Sequence, residues 1–270
     1  MTADDEQDDP HSSDPKFITA LARGLAVLHA FRPNDGTLGN QTLSSRTGLP
    51  KATVSRLTYT LCKLGYLSQQ ADSGEYRLTT GVLTLGLGAL AQADLEHRAQ
   101  LEMKELCRSD NANVTAGLGE RHGISIVYLS THRKPSSVGL SFALGGEVPL
   151  FATSIGRACL MGMSTDRQDE LLDRAMRSER TRDKDRLVGW LDKARSDFDR
   201  YGFCTSFGDW RAEINGIAAP VRLYNENRDL ALNVGGLSFF NPPDELIEQH
   251  GERLRQAAAN LSLRPLGHDR

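Results

Sequence analysis

The sequence predicts an α+β protein of two domains: an N-terminal winged helix-turn-helix, a linker helix, and a C-terminal domain built on an antiparallel sheet. Three observations predict it. Residues 41–64 place two short helical patterns around a turn at Gly48. An extended–turn–extended run follows over residues 66–78. Beyond residue 94, strand-like runs come mostly as hairpins, with helical patterns beside them, which is the signature of an antiparallel sheet with segregated helices.

Each element has a local reason. Residues 18–31 form an amphipathic helix with Leu21, Leu25 and Leu28 on one face, and the run Arg32-Pro33-Asn34-Asp35-Gly36 ends it. In the helix pair, Gly48 takes a left-handed turn at little steric cost, and Pro50 suits the first turn of the next helix. Val54, Leu57, Leu61 and Leu64 then make an apolar stripe. The opposite face carries Ala52, Ser55, Arg56, Tyr59 and Lys63, with Lys51 and Thr53 at its N-terminal end. Short polar and cationic side chains on such a helix suit entry into a major groove, although many core helices also oppose apolar and polar faces. Residues 66–70 and 75–78 pair around Ala71-Asp72-Ser73-Gly74 as a small wing that carries Arg77.

Residues 80–93 are apolar at helical spacing, with Val82, Leu83, Leu85, Leu87 and Leu90, and form a linker helix with surplus surface for a second copy. Gly86-Leu87-Gly88-Ala89-Leu90-Ala91 formally matches a dinucleotide fingerprint. It lies inside a helical pattern without the strand that the fingerprint requires, so no nucleotide cofactor is expected. Further on, residues 95–109, 153–163, 166–178, 184–201 and 243–261 read as helices. Residues 113–119, 125–130, 136–142, 214–223 and 229–237 read as strands, with turns at residues 120–123 and 224–228. The expected division is an acidic disordered tail over 1–15, a winged helix-turn-helix over 16–79, the linker over 80–93, the sheet domain over 94–262 and a flexible tail over 263–270.

Charge separates the two halves. The 270-residue chain has a formal net charge of −3, with 39% hydrophobic and 25% charged residues. Residues 16–80 hold eight basic residues (Lys16, Arg23, Arg32, Arg46, Lys51, Arg56, Lys63 and Arg77) against three acidic ones (Asp35, Asp72 and Glu75), a net of +5. A basic module on a mildly acidic chain is an electrostatic footprint for phosphate. The start of the chain lacks the basic and apolar runs of a signal peptide, and no segment has the length of a membrane span, so a cytoplasmic protein is expected.

Catalytic and metal patterns are missing from the sequence. Seven histidines are scattered without metal spacing, and the four cysteines (Cys62, Cys107, Cys159 and Cys204) form no C-x-x-C pair. Residues 153–156 are not a nucleophile elbow, and Cys159 and Cys204 lack the sequence context of a catalytic thiol. Asp209 and Glu213 would be adjacent on a helix, as solvated surface acids often are. The expectation is no enzyme, no metal and no cofactor. The run Gly145–Gly156 is different: small residues leading into a helix start offer free backbone N–H groups to a carboxylate, or simply cap the helix.

The combination resembles the IclR family of bacterial transcription regulators over residues 17–261. The resemblance rests on FITALARGLAVLHAF, LGNQTLSSRTGLPKATVSRLTYTLCKLGYL and YRLTTGVLTLG in the first half, and on GGEVPLFATSIGRACL, YGFCTSFGDWRAEINGIAAPVRL and LALNVGGLSF in the second. Within the family the chain looks most like regulators of aromatic-acid breakdown. The resemblance implies a DNA-binding regulator of palindromic operators, dimeric through its DNA-binding half and often tetrameric, with Lys51, Thr53, Ser55, Arg56, Tyr59 and Arg77 toward DNA. It also implies an effector, an organic or aromatic carboxylate, bound against the sheet at Ser154, Ile155, Ser206, Gly216, Asn233 and Gly235. The chain departs from the family pattern in Ile214-Asn215-Gly216, and in Asn233 and Gly235 where serines are common. The competing readings are a small-molecule sensor or enzyme without sequence-specific DNA binding, and a DNA-binding protein without an effector.

Overall fold

A computed structural model describes residues 14–32, 35–90, 93–108, 113–135, 137, 142–178, 183–223 and 228–262, with backbone only for residues 87–90, 93 and 94. The chain forms two compact units, Met1–Ala91 and Gln92–Arg270, whose boundary falls inside the expected linker of residues 80–93.

The first unit contains α1 (Thr19–His29), α2 (Asn40–Thr47), α3 (Lys51–Lys63), β1 (Leu67–Gln69), β2 (Tyr76–Leu78) and α4 (Thr80–Leu90). Gly48 has φ 71°, the left-handed conformation expected of the turn, and ends α2. Side chains lock that turn: Ser44 Oγ donates to Leu49 O at 2.6 Å, Thr47 Oγ1 to Leu43 O at 2.7 Å, and Asn40 Nδ2 to Lys51 O at 3.2 Å. β1 and β2 pair antiparallel as the wing, with Ser68 opposite Arg77.

The apolar faces of α1 and α3 meet the core only in part. On α1, Leu21 is 60% and Leu25 47% exposed, and Leu28 is only partly buried. The core side is Val27, followed by Ala30 beyond the helix end, and Gly24 faces Leu57 of α3. Periodicity finds an apolar stripe but does not say which side meets the core. On α3, Val54 and Leu61 are buried and Leu57 is half-buried, but Leu64 is exposed because the helix ends there and Gly65, at φ 80°, turns the chain away. Thr58 takes the inward place, its hydroxyl satisfied by Val54 O at 3.0 Å and Ser55 O at 3.1 Å.

The second unit contains α5 (Ala93–Leu106), β3 (Thr115–His122), β4 (Ser125–Arg133), β5 (Glu147–Pro149), α6 (Ser154–Met161), α7 (Thr165–Arg177), α8 (Lys184–Tyr201), β6 (Cys204–Phe207), β7 (Ile214–Val221), β8 (Leu230–Leu237) and α9 (Pro243–Ser262). The six strands form one sheet in the order β5-β4-β3-β8-β7-β6, every neighbouring pair antiparallel. β5 and β6 were not expected as strands. They are short edge strands defined by pairing with β4 and β7, and Pro149 is tolerated because an edge strand need not donate on its open side. The strand expected over residues 136–142, the tails and the turn at 224–227 lie largely or wholly outside the described residues.

The two sheet faces differ in side-chain size. Leu230, Leu232 and Val234 of β8, with Ile217 and Ala219 of β7, pack under α5 and α9. The alternate residues Ala231, Asn233 and Gly235 of β8, and Gly216 and Ala218 of β7, face the side covered by α6, α7 and α8. Small residues there let α6 lie close to the strands.

His250 on α9 is 1% exposed. Burial first, and then Arg253, push its pKa down from 6.5 to about 4 against an opposing pull from the Leu106 backbone. The unfolded chain therefore binds the extra proton between those values, so stability is complete above pH 6.5 and falls as pH drops toward 4. Urea unfolding at pH 7, 5.5 and 4.5 should show a loss of about 2 kcal/mol across that range attributable to this group. His250→Gln should flatten that part of the pH dependence.

Candidate DNA-binding and ligand-binding sites

α3 exposes Lys51, Ser55, Arg56, Tyr59 and Lys63, while Thr53 lies half-buried at the flank. At 100° per residue Ser55, Arg56, Tyr59 and Lys63 share one side of the helix, away from Val54, Thr58 and Leu61, and Lys51 stands at the helix start. Lys63 Nζ sits 5.4 Å from the Tyr59 ring centroid, so cation and aromatic ring form one patch. The helix starts at Pro50 without a side-chain cap and has no acidic residue in its first turn, which leaves its positive end uncancelled. Arg77 is exposed on the wing. Arg46, one of the eight basic residues, is spent inside the unit: it ion-pairs with Asp35, also at 3.0 Å through Nη2–Oδ1, and donates to Ala30 O at 2.8 Å. Hydrogen bonds from Arg46 and from the Arg32 backbone hold the Asp35 carboxyl down near pKa 2.

The second unit has a cavity between the small-residue sheet face and the start of α6, with about 380 Å³ of atom-free space including its open mouth. All six positions expected for a ligand, Ser154, Ile155, Ser206, Gly216, Asn233 and Gly235, line it. So do Tyr128, Phe142, Val148, Thr153, Trp210, Ile214 and Asn215, which are not among the six expected positions. Tyr128 was within reach of sequence reasoning, since it alternates with Ile126 on β4 toward the small-residue side of the sheet. Trp210 and Phe142 lie in loops that only the tertiary fold brings over the sheet. None of these lining residues is charged.

α6 shapes the cavity. Its N-cap is Thr153, which accepts from Gly156 N–H at 3.2 Å and donates to Pro149 O at 2.7 Å. The helix's own hydrogen bonds begin with Arg157 N–H to Thr153 O at 3.0 Å, so the Ser154 and Ile155 amides precede them at the positive end. Two glycines permit the close approach. A Cβ at Gly156 would fall 1.9 Å from Leu150 O, and one at Gly216 would fall 2.9 Å from Ser154 Oγ. Ser206 donates to Ala152 O at 2.9 Å, which leaves its oxygen as an acceptor toward the cavity.

Below the cavity lies Arg157, fully buried on α6. It donates to Phe151 O at 2.8 Å, to Thr205 O at 2.6 Å and to the Asp209 carboxylate at 2.7 Å, and sits 5.6 Å from the Trp190 ring centroid. One guanidinium thus ties the loop before α6, strand β6 and the turn that carries Trp210. The expected Asp209–Glu213 pair is not on a helix, and Asp209 is consumed by this ion pair while Glu213 is exposed. Cys159 and Cys204 are buried, and burial drives both thiols far up, so neither is a poised nucleophile. Among the described residues, no group of three or more His, Cys, Asp or Glu is placed to hold a metal ion, and no helix is long and apolar enough to cross a membrane.

Comparison with known proteins places these two sites. Residues 20–71 match the IclR helix-turn-helix domain, and residues 87–263 match the bacterial transcriptional regulator IclR C-terminal domain. The chain is 34% identical over 230 residues to the Pca regulon regulatory protein of Pseudomonas putida, covering 83% of this chain and 76% of that protein. An IclR family transcriptional regulator from Brucella abortus has a similar crystal structure, at 38% identity and TM-score 0.81, covering 93% of this chain and 94% of that one. An IclR homolog from Microbacterium hydrocarbonoxydans complexed with 4-hydroxybenzoate shares the fold at 21% identity and TM-score 0.67, covering 90% and 97%.

Two substitutions test the architecture of the cavity. Gly156→Ala should lower the stability of the second unit by about 3 kcal/mol, read as a fall in its thermal midpoint, because Leu150 O blocks the new Cβ. Asp209→Ala should cost about 3 kcal/mol by leaving the buried Arg157 charge without its partner. The double variant Arg157→Met/Asp209→Ala should recover part of that loss in the same denaturation assay, since the uncompensated charge goes with the arginine.

Proposed function

The chain belongs to the IclR family of bacterial transcriptional regulators, and from that premise we propose how its two sites are used. The family gives a helix-turn-helix for DNA and a C-terminal effector-binding domain. Our reading is that α3 enters the major groove, with Arg56 and Lys51 on base edges or phosphates, Ser55, Thr53 and Tyr59 assisting, and Arg77 of the wing on the backbone. The observation that carries this is the single exposed cationic face of α3, set opposite a satisfied core.

The cavity takes the effector, an organic and by preference aromatic carboxylate. Three features support that reading: the positive end of α6 at Ser154 and Ile155, walls of Phe142, Trp210 and Val148, and a likeness in fold to a homolog complexed with 4-hydroxybenzoate. An effector shifts operator binding only by its unequal affinity for the two states of the regulator. The protein works as a homodimer or homotetramer in the cytoplasm, without catalysis. Ile18, Leu21 and Leu25 on α1, and Leu83 and Leu85 on α4, are exposed apolar residues that support pairing through the DNA-binding half. The working boundaries are 16–79 for DNA binding, 80–93 for the linker and 94–262 for the effector.

The test is fluorescence anisotropy with the intergenic DNA beside the protein's own gene, with and without added benzoates. Sequence-specific binding that a benzoate alters is expected, and binding no stronger than to random DNA under all conditions would refute the proposal. Arg56→Ala should weaken operator binding and reduce the slope of log affinity against log salt by about 0.9 if it contacts a phosphate. If it contacts a base, the variant should relax sequence preference while the salt slope stays.

A further inference from the structure

Asn233 is 6% exposed and borders the cavity, yet its Oδ1 accepts no hydrogen bond of proper geometry. A buried acceptor without a donor is a cost that a ligand can remove. The other buried unpaired side-chain atoms among the described residues, on Asn40, Arg157 and His250, belong to residues that do not border the cavity.

Beside the amide stands Tyr128, whose hydroxyl is close enough to feel Asn233 while burial keeps the phenol protonated. Its ring is stacked on Phe142 at 4.7 Å between centroids. Gly117 makes room for the pair: a Cβ there would lie 2.6 Å from the Tyr128 ring and 3.0 Å from Asn233 Oδ1. This end of the cavity is separate from the end at α6. Ser154 stands over Gly216, Gly216 pairs with Gly235, and Asn233 is two residues further along β8. Such diagonal neighbours lie about 7–8 Å apart along the sheet, so the two ends of the cavity present different groups to a bound ring.

We propose that Asn233 and Tyr128 form the element that recognises a hydroxyl group on the effector, at the end of its ring remote from the carboxylate. The effector class is then a hydroxylated aromatic monocarboxylate. This rests on the reading that the cavity takes an aromatic carboxylate at α6. A hydroxyl matches the pair because it gives its proton to Oδ1 and accepts one from Tyr128. A bare ring leaves Oδ1 unpaired. A second carboxylate brings no proton and buries a charge where no cationic side chain lines the wall.

Isothermal titration of the full-length protein with benzoate, 3-hydroxybenzoate, 4-hydroxybenzoate and benzene-1,4-dicarboxylate tests this. One hydroxybenzoate should bind at least about tenfold tighter than benzoate, and the dicarboxylate should bind worst. In Asn233→Leu the ratio of hydroxybenzoate to benzoate affinity should collapse to about one, whatever the variant does to benzoate binding itself. Tyr128→Phe, which keeps the stacked ring, should lose part of the same preference and decides the matter if the leucine variant does not fold. Equal binding of benzoate and both hydroxybenzoates by the wild type overturns the inference while leaving the carboxylate site standing. So does a preference that survives in every variant that folds. If none of the four compounds binds, the carboxylate reading fails and this inference falls with it.

Discussion

The seating of α6 on the sheet is the constraint on which the second unit depends. A helix comes this close only where side chains stand aside: Gly216 leaves room on the sheet under Ser154, and Gly156 lets the turn at Leu150 close against the helix. Contact alone would not hold it. The buried Arg157 guanidinium reaches from the helix to Phe151 O, Thr205 O and Asp209, so one side chain fixes the loop before the helix, the edge strand β6 and the turn that carries Trp210. A buried ion pair adds little net stability, but losing one partner is costly, which makes this arrangement hard to vary piecemeal. The cavity is the space left where the seated helix meets the glycines of β7 and β8.

The placement of charge follows from the same geometry. The buried and half-buried arginine–carboxylate pairs of the second unit lie outside the cavity lining: Arg157 of α6 with Asp209, Arg121 and Arg167 on Asp229, and Arg228 on Glu120. The lining itself has only neutral polar groups and apolar walls. For the anion proposed above, the groups on offer are backbone amides at a helix start rather than a cation, which would leave more of the selectivity to shape and hydrogen bonding than to net charge.

In the first unit the division of labour is sharper. The inward side of α3 is closed by Val54, Leu61 and a self-satisfied Thr58, and Arg46 is tied to Asp35 within the module. What remains outward is a compact set of donors and cations on one helix and one wing strand. The exposed leucines of α1 and α4 are the part of this unit that its own core does not explain.

The local sequence was enough for the elements that local chemistry governs. Gly48 specified the turn, the 3.6-residue pattern located α3 and α8, alternation located β3 and β4, and two apolar runs flanking a polar turn located β7 and β8. Family resemblance brought the six expected ligand positions, which the structure gathers around one cavity. The sequence did not reveal which side of α1 is core, because both sides carry apolar residues and burial depends on where α3 lies. Nor did it reveal β5 and β6, which are strands only by virtue of the neighbours they pair with. The pairing of Arg157 with Asp209 spans 52 residues, and the meeting of Tyr128 with Asn233 joins β4 to β8 across β3. Backbone conformation is set by nearest neighbours and can be read along the chain. Cavities, buried ion pairs and unpaired acceptors arise from segments far apart in sequence, so the tertiary structure alone decided them.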